Sequence, residues 1–130
     1  MAKRHSVYIG SSLLNVNRTR YFIAKFNDLG IGITYDWTKH GQLFDPVELT
    51  KCAAAEINGV RECDVFFMLQ PGRSGTHCEL GMAIALHKPI IILEDCDVLE
   101  EKAFYYAPTV QRFTDESSAV AAVLSELAAI

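Results

Sequence analysis

CDVFFMLQPGRSGTHCELGMAIALHKPIIIL, residues 63–93, decides the fold. DVFFML (64–69) is apolar on both faces, and so is PIIIL (89–93), so each reads as a strand inside a sheet covered on both sides. Between them the glycine turn PGRSGT runs into a helix over 75–87. Two buried strands joined by a helix make a parallel pair with a crossover. One carboxylate, Glu79, stands near the helix start, with Gly75, Gly81 and Ala83 leaving room around it.

The same alternation extends outward. SVYIG (6–10) is a short apolar strand. Over 18–30, Tyr21, Phe22, Lys25, Phe26 and Leu29 recur at helical spacing, and Gly30 suits the stop. GITY (32–35) is a second strand. Asp45-Pro46-Val47-Glu48 is a strong start for a helix running to about Glu62, with Asp45 as cap and proline in the first turn. VQRF (110–113) is a fifth strand, and Thr114 can cap a last helix over 115–129. Five strands alternating with helices predict a single α/β domain over 1–130 with a five-stranded parallel sheet. Ligands bind such sheets beyond the C-terminal strand ends, where strand order reverses. The polar clusters of the chain fall at those ends.

Composition narrows the function. With 50% hydrophobic and 22% charged residues, the chain is an ordinary globular one. A net charge of -4 and the lack of a long basic run argue against a nucleic-acid partner. No apolar stretch is long enough to span a bilayer, and the N-terminus reads as a strand rather than a signal peptide, so a cytoplasmic protein away from membranes is expected. Cys52, Cys63, Cys78 and Cys96 form no CxxC pair and read as reduced, mostly buried thiols; Cys78, beside Glu79, can line a pocket. His40, His77 and His87 read as surface or pocket-rim residues. No metal or other cofactor is expected.

Several residues are candidates for a site. Glu79, read as lying in the first helical turn, is held as an anion by the helix N-terminus. Backbone N–H groups of Gly72, Ser74 and Gly75 can cradle a phosphate, and Gly10-Ser11-Ser12 faces the same space. Asp36-Trp37 follows the second strand, where the indole either stacks on a nucleobase or packs under the loop. Glu56 sits mid-helix, and a solvated face is its plainest reading. Phe104, Tyr105 and Tyr106 stand in an otherwise acidic loop over 94–109 and suit an interface between subunits.

Asp64, the 71–76 loop, Glu79-Leu80-Gly81 and Lys88-Pro89 together resemble the nucleoside 2-deoxyribosyltransferase family, including its relatives that hydrolyse the N-glycosidic bond of nucleoside 5′-phosphates. VYIGSSLLNVNRTR is similar to the family's opening strand and Gly-Ser loop, and TYDWT to a second-strand end. The resemblance implies a flavodoxin-like three-layer sandwich, a (deoxy)nucleoside or nucleotide substrate, and a homo-oligomer, most simply a dimer, whose subunits help close each other's pockets. It implies Glu79 as the nucleophile. Glu56 matches a family aspartate that acts near the leaving base. Leu13 and Leu14 replace a more glycine-rich, basic run, so Arg18 or Arg20 would have to supply charge for a 5′-phosphate. PGRSGTHCE also resembles the PGGxGTxxE motif of lysine-decarboxylase-like phosphoribohydrolases, with Arg73 at the second glycine. A TIR-like NAD glycohydrolase or signalling domain and a non-catalytic nucleotide-binding module are the alternatives.

Overall fold

The computed structural model describes residues 4–97 and 101–130. Five strands, β1 (Ser6–Gly10), β2 (Gly32–Ile33), β3 (Val65–Leu69), β4 (Ile90–Leu93) and β5 (Val110–Phe113), form one sheet in the order β2-β1-β3-β4-β5. Every adjacent pair is parallel. Three helices lie between them, α1 (Val16–Asp28), α2 (Pro46–Glu62) and α3 (Ser74–Ala85), and a fourth, α4 (Glu116–Ala128), follows β5. This is the flavodoxin-like order.

Side-chain alternation along the strands builds two cores. Val7, Ile9, Val65, Phe67, Leu69, Ile91 and Leu93 face α1 and α4, where Phe22, Phe26, Val123 and Leu127 meet them. Tyr8, Phe66, Met68, Ile90 and Ile92 face α2 and α3, against Val60, Leu80 and Ala83. β3 is buried at every position because both faces are covered.

The helix ends follow local chemistry. Asp45 accepts the N–H of Glu48 at 3.0 Å, with Pro46 in the first turn of α2. Gly30 takes the left-handed conformation, φ 79°, just beyond α1. α4 is capped by Asp115, whose carboxylate accepts the Ser118 N–H at 2.8 Å, not by Thr114; the charged cap lies one residue later. β2 pairs only as Ser6 with Gly32 and Val7 with Ile33, shorter than GITY suggests; just beyond, the Thr34 hydroxyl donates to the Gly59 carbonyl of α2 at 2.8 Å.

The aromatic loop differs from expectation. Phe104 and Tyr106 are exposed, but Tyr105 is buried. Its hydroxyl lies 2.7 Å from His77 Nε2, and the Arg112 guanidinium stacks 5.4 Å from its ring centre. Positions 98–100 of that loop lie outside the described residues. Among the thiols only Cys63 is buried; Cys52 and Cys96 are half-buried, and Cys78 is exposed. Among the described residues no helix is long and apolar enough to cross a membrane.

Candidate active site

β1 and β3 are neighbours, but the chain leaves them toward opposite faces, to α1 from one and α3 from the other. The switch point therefore lies between their C-terminal ends. A cleft of about 660 Å³ opens there, a size that suits a small ligand. Ser11 and Ser12 wall it after β1, Trp37 and His40 after β2, Cys52 and Glu56 from α2. Arg73, Ser74, Gly75, Thr76 and Glu79 wall it around the start of α3.

Glu79 sits at the bottom, with 6% of its surface exposed. It is the sixth residue of α3, in the second turn and not the first. The helix-terminal field is weak beyond the first turn. Burial dominates instead and pushes its carboxyl up to about 8; the Tyr8 hydrogen bond opposes the rise, while the charge and hydrogen bonding of Glu56 add to it. The expectation of a carboxylate held ionised by the helix start is thus reversed. At neutral pH the buried Glu79 carboxyl therefore keeps its proton.

Tyr8 points from β1 to the same spot, where its hydroxyl donates to Glu79 Oε2. Burial, then the Glu79 charge, raise the phenol far above its ordinary value, so it remains a donor. Tyr8 stacks on Phe66, ring centres 5.7 Å apart. Gly10 makes the approach possible. A Cβ there would stand 2.8 Å from the Phe66 ring and 3.5 Å from Glu79 Oε1.

The other expected residues divide. Ser11 lines the cleft, but its hydroxyl donates to the Leu69 carbonyl and accepts from Asn15 Nδ2, both at 2.9 Å. Ser12 accepts the Leu14 N–H at 3.2 Å. Trp37 is buried, and its indole N–H donates to the Ile9 carbonyl at 2.7 Å, which fixes it as packing in the cleft wall. Asp36 is turned away to cap Thr38, accepting its N–H at 2.9 Å. Gly72 packs against Thr76, and its N–H donates to Gln70 Oε1 at 2.9 Å, so it is not aimed at an anion. Ser74 and Gly75 are exposed at the cleft. Arg18 pairs with Asp95, and Arg20 donates to the Thr38 carbonyl at 2.7 Å, so neither lines the cleft. Arg73 does, as the only Lys or Arg among the described residues of its lining.

Sequence reading overlooked Tyr8 and Cys52 as cleft residues and gave Arg73 no role; His40 stands at the cleft, as a pocket-rim residue should. Tyr8 carried a signal, a phenol in an otherwise aliphatic buried strand that needs a partner for its hydroxyl. Cys52 and Glu56 are one helical turn apart on α2, so they share a face. Cys78 is next to Glu79 in the chain but points to solvent, because successive helical residues face different directions.

The sequence profile named nucleoside 2-deoxyribosyltransferase matches residues 7–120. The chain belongs to the nucleoside 2-deoxyribosyltransferase family. It is accordingly an enzyme of the N-glycosidase or glycosyltransferase kind. No curated protein sequence matches it closely. Among solved structures it is similar to the CMP N-glycosidase BcmB of Clostridium botulinum, at 18% identity and TM-score 0.64, covering 92% of this chain and 98% of that one. A 2-deoxyribosyltransferase from Bacillus psychrosaccharolyticus aligns at 16% identity and TM-score 0.63, over 85% and 86% of the two chains. A conserved protein from Enterococcus faecalis V583 aligns at 16% identity and TM-score 0.62, over 98% and 99%. At these identities the likeness is one of fold.

Proposed function

We propose that the chain cleaves the N-glycosidic bond of a nucleoside 5′-monophosphate, with Glu79 as nucleophile. The observation that carries this is the buried Glu79 carboxyl, braced by Tyr8 and beside the half-buried Glu56, at the floor of the cleft. The proton that burial keeps on Glu79, relayed through Glu56, supplies both needs of the reaction. The proton passes to the leaving base as the C1′–N bond breaks, and the Glu79 carboxylate bonds to C1′. Positive charge grows on the sugar while negative charge grows on the pair, so the transition state is stabilised where it forms. Water, giving its proton to Glu56, then releases the sugar phosphate; a second base in place of water would give exchange.

Arg73 supports the choice of a 5′-monophosphate. Its guanidinium is the cation of the lining, beside the exposed Ser74 and Gly75 at the start of α3. The likeness to a protein described as a CMP N-glycosidase agrees with it. The working form is a homodimer in which the second subunit covers the cleft mouth, where Leu14 and Leu49 are exposed and Phe44 stands close by with 81% of its surface open.

The test is a panel of nucleosides, 2′-deoxynucleosides, their 5′-monophosphates and NAD, with free base read by chromatography. Release from a monophosphate, without exchange when a second base is added, is hydrolysis. Exchange with the added base is transfer. No free base from any of them would overturn the reading, and release from NAD alone would redirect it to the glycohydrolases.

A further inference from the structure

Three ligand atoms of different chemistry converge on one wall of the cleft. Cys52 Sγ is 3.6 Å from His40 Nε2 and 3.4 Å from Glu56 Oε1. All three donor atoms lie within 4.8 Å of one another, and all three residues are half-buried. Tetrahedral zinc, with a bond to sulfur of about 2.3 Å and to nitrogen or oxygen of about 2.0–2.1 Å, sets its sulfur about 3.5 Å from each neighbouring ligand atom. Both sulfur edges of the cluster already have that length.

The histidine is also in the required tautomer. Its Nδ1 lies 2.9 Å from the Gly41 carbonyl, which can only accept, so Nδ1 carries the proton. Nε2 then presents a lone pair, to which the Tyr35 hydroxyl donates at 3.2 Å. Metal-bound imidazoles are held in this way, by a carbonyl on the far nitrogen. The Cys52 proton is now directed at Glu56, so an ion arriving between sulfur and oxygen would replace a single proton.

We infer that His40, Cys52 and Glu56 form a site for a divalent transition metal ion of the zinc class. Three protein ligands leave the fourth position to water or to a group in the cleft, which all three residues line. The mixed nitrogen, sulfur and oxygen set excludes magnesium and calcium, which take oxygen alone. The site does not depend on the reaction proposed above, although an ion here would draw Glu56 away from Glu79.

Cobalt(II) is the probe. The reduced, metal-free full chain is titrated with it and then with zinc. One equivalent should give a thiolate-to-cobalt charge-transfer band in the near ultraviolet and intense four-coordinate bands in the visible, both abolished by zinc. Cys52→Ser should lose the charge-transfer band. His40→Gln and Glu56→Gln should each weaken binding about ten-fold or more. Cys78→Ser should leave the spectrum unchanged. Should the Cys52 variant fail to fold, the wild type decides: zinc and not magnesium should raise its melting temperature. No charge-transfer band at stoichiometric cobalt, a band that survives Cys52→Ser, or no melting shift with zinc would overturn the site.

Discussion

Glu79→Gln tests the buried proton and the nucleophile in one variant. The side chain keeps its shape, and its amide oxygen can still accept from Tyr8, so the fold should persist. What changes is the titration. The wild-type carboxyl rises from an ordinary 4.5 to about 8 on folding, chiefly through burial. Across that interval the folded chain holds a proton that the unfolded chain has lost. Its contribution is complete below pH 4.5 and is lost as pH rises through 8. Wild-type stability should therefore fall by about 1.4 kcal/mol per pH unit relative to the variant, or about 3 kcal/mol between pH 4.5 and 7. That is a large share of the roughly 5–15 kcal/mol typical of a domain. Urea unfolding of both proteins at about pH 5, 6, 7 and 8 gives the difference, and titrating groups distant from Glu79 cancel. A difference that does not change with pH would refute the reasoning, since Glu79 would then be ionised in the fold. Turnover should fall by about 10³-fold or more, and near-normal turnover in the folded variant would end the nucleophile reading.

Gly59→Ala should destabilise by about 1–3 kcal/mol in a urea melt, despite alanine's better helix propensity. The added Cβ would stand 2.9 Å from the Tyr8 ring and 3.0 Å from Tyr35 Cβ. His87→Gly should stabilise by about 1 kcal/mol, seen as a melting point about 3–5 °C higher, because His87 follows α3 in the left-handed region at φ 57°. Arg73→Met should lower kcat/KM for a nucleoside 5′-monophosphate by about ten-fold or more relative to the nucleoside; an unchanged ratio would remove Arg73 from phosphate recognition. Light scattering should give a dimer at micromolar concentration with activity lost on dilution, whereas a fully active monomer would show that the cleft closes without a partner.

The layers of the fold were legible because they follow from local pattern. The apolar runs of β3 and β4 can only be buried strands, and the Asp45-Pro46 start of α2 and the Gly30 stop of α1 are local chemistry. The position of Glu79 at the switch point followed from topology. What was not legible depends on contacts distant in sequence. Tyr105 reads as an exposed aromatic until His77 and Arg112, from two other elements, enclose it. Ser11 reads as a phosphate ligand until the Leu69 carbonyl, at the end of β3, accepts its hydrogen bond. The convergence of His40 on Cys52 requires the loop after β2 to fold over α2, which no spacing rule states.

The raised carboxyl is the least expected of these features and bears most directly on mechanism. A glutamate in the first turn of a helix is stabilised as an anion, and that same stabilisation makes it a weaker base and a poorer nucleophile. One turn deeper, Glu79 loses the field and is shut away from water. Its anion is then costly, so the proton stays. It becomes affordable only when a positive charge is near, and in the proposed reaction that charge arises on C1′ as the base departs. The leaving base then takes the proton from the pair, so ionisation of the nucleophile and protonation of the leaving group occur in the same step. Tyr8 makes this workable because its hydrogen bond favours the Glu79 anion and partly offsets burial. Without that donor, burial and the neighbouring Glu56 charge would hold the proton more tightly, and the carboxylate would form less readily when the bond to C1′ must be made.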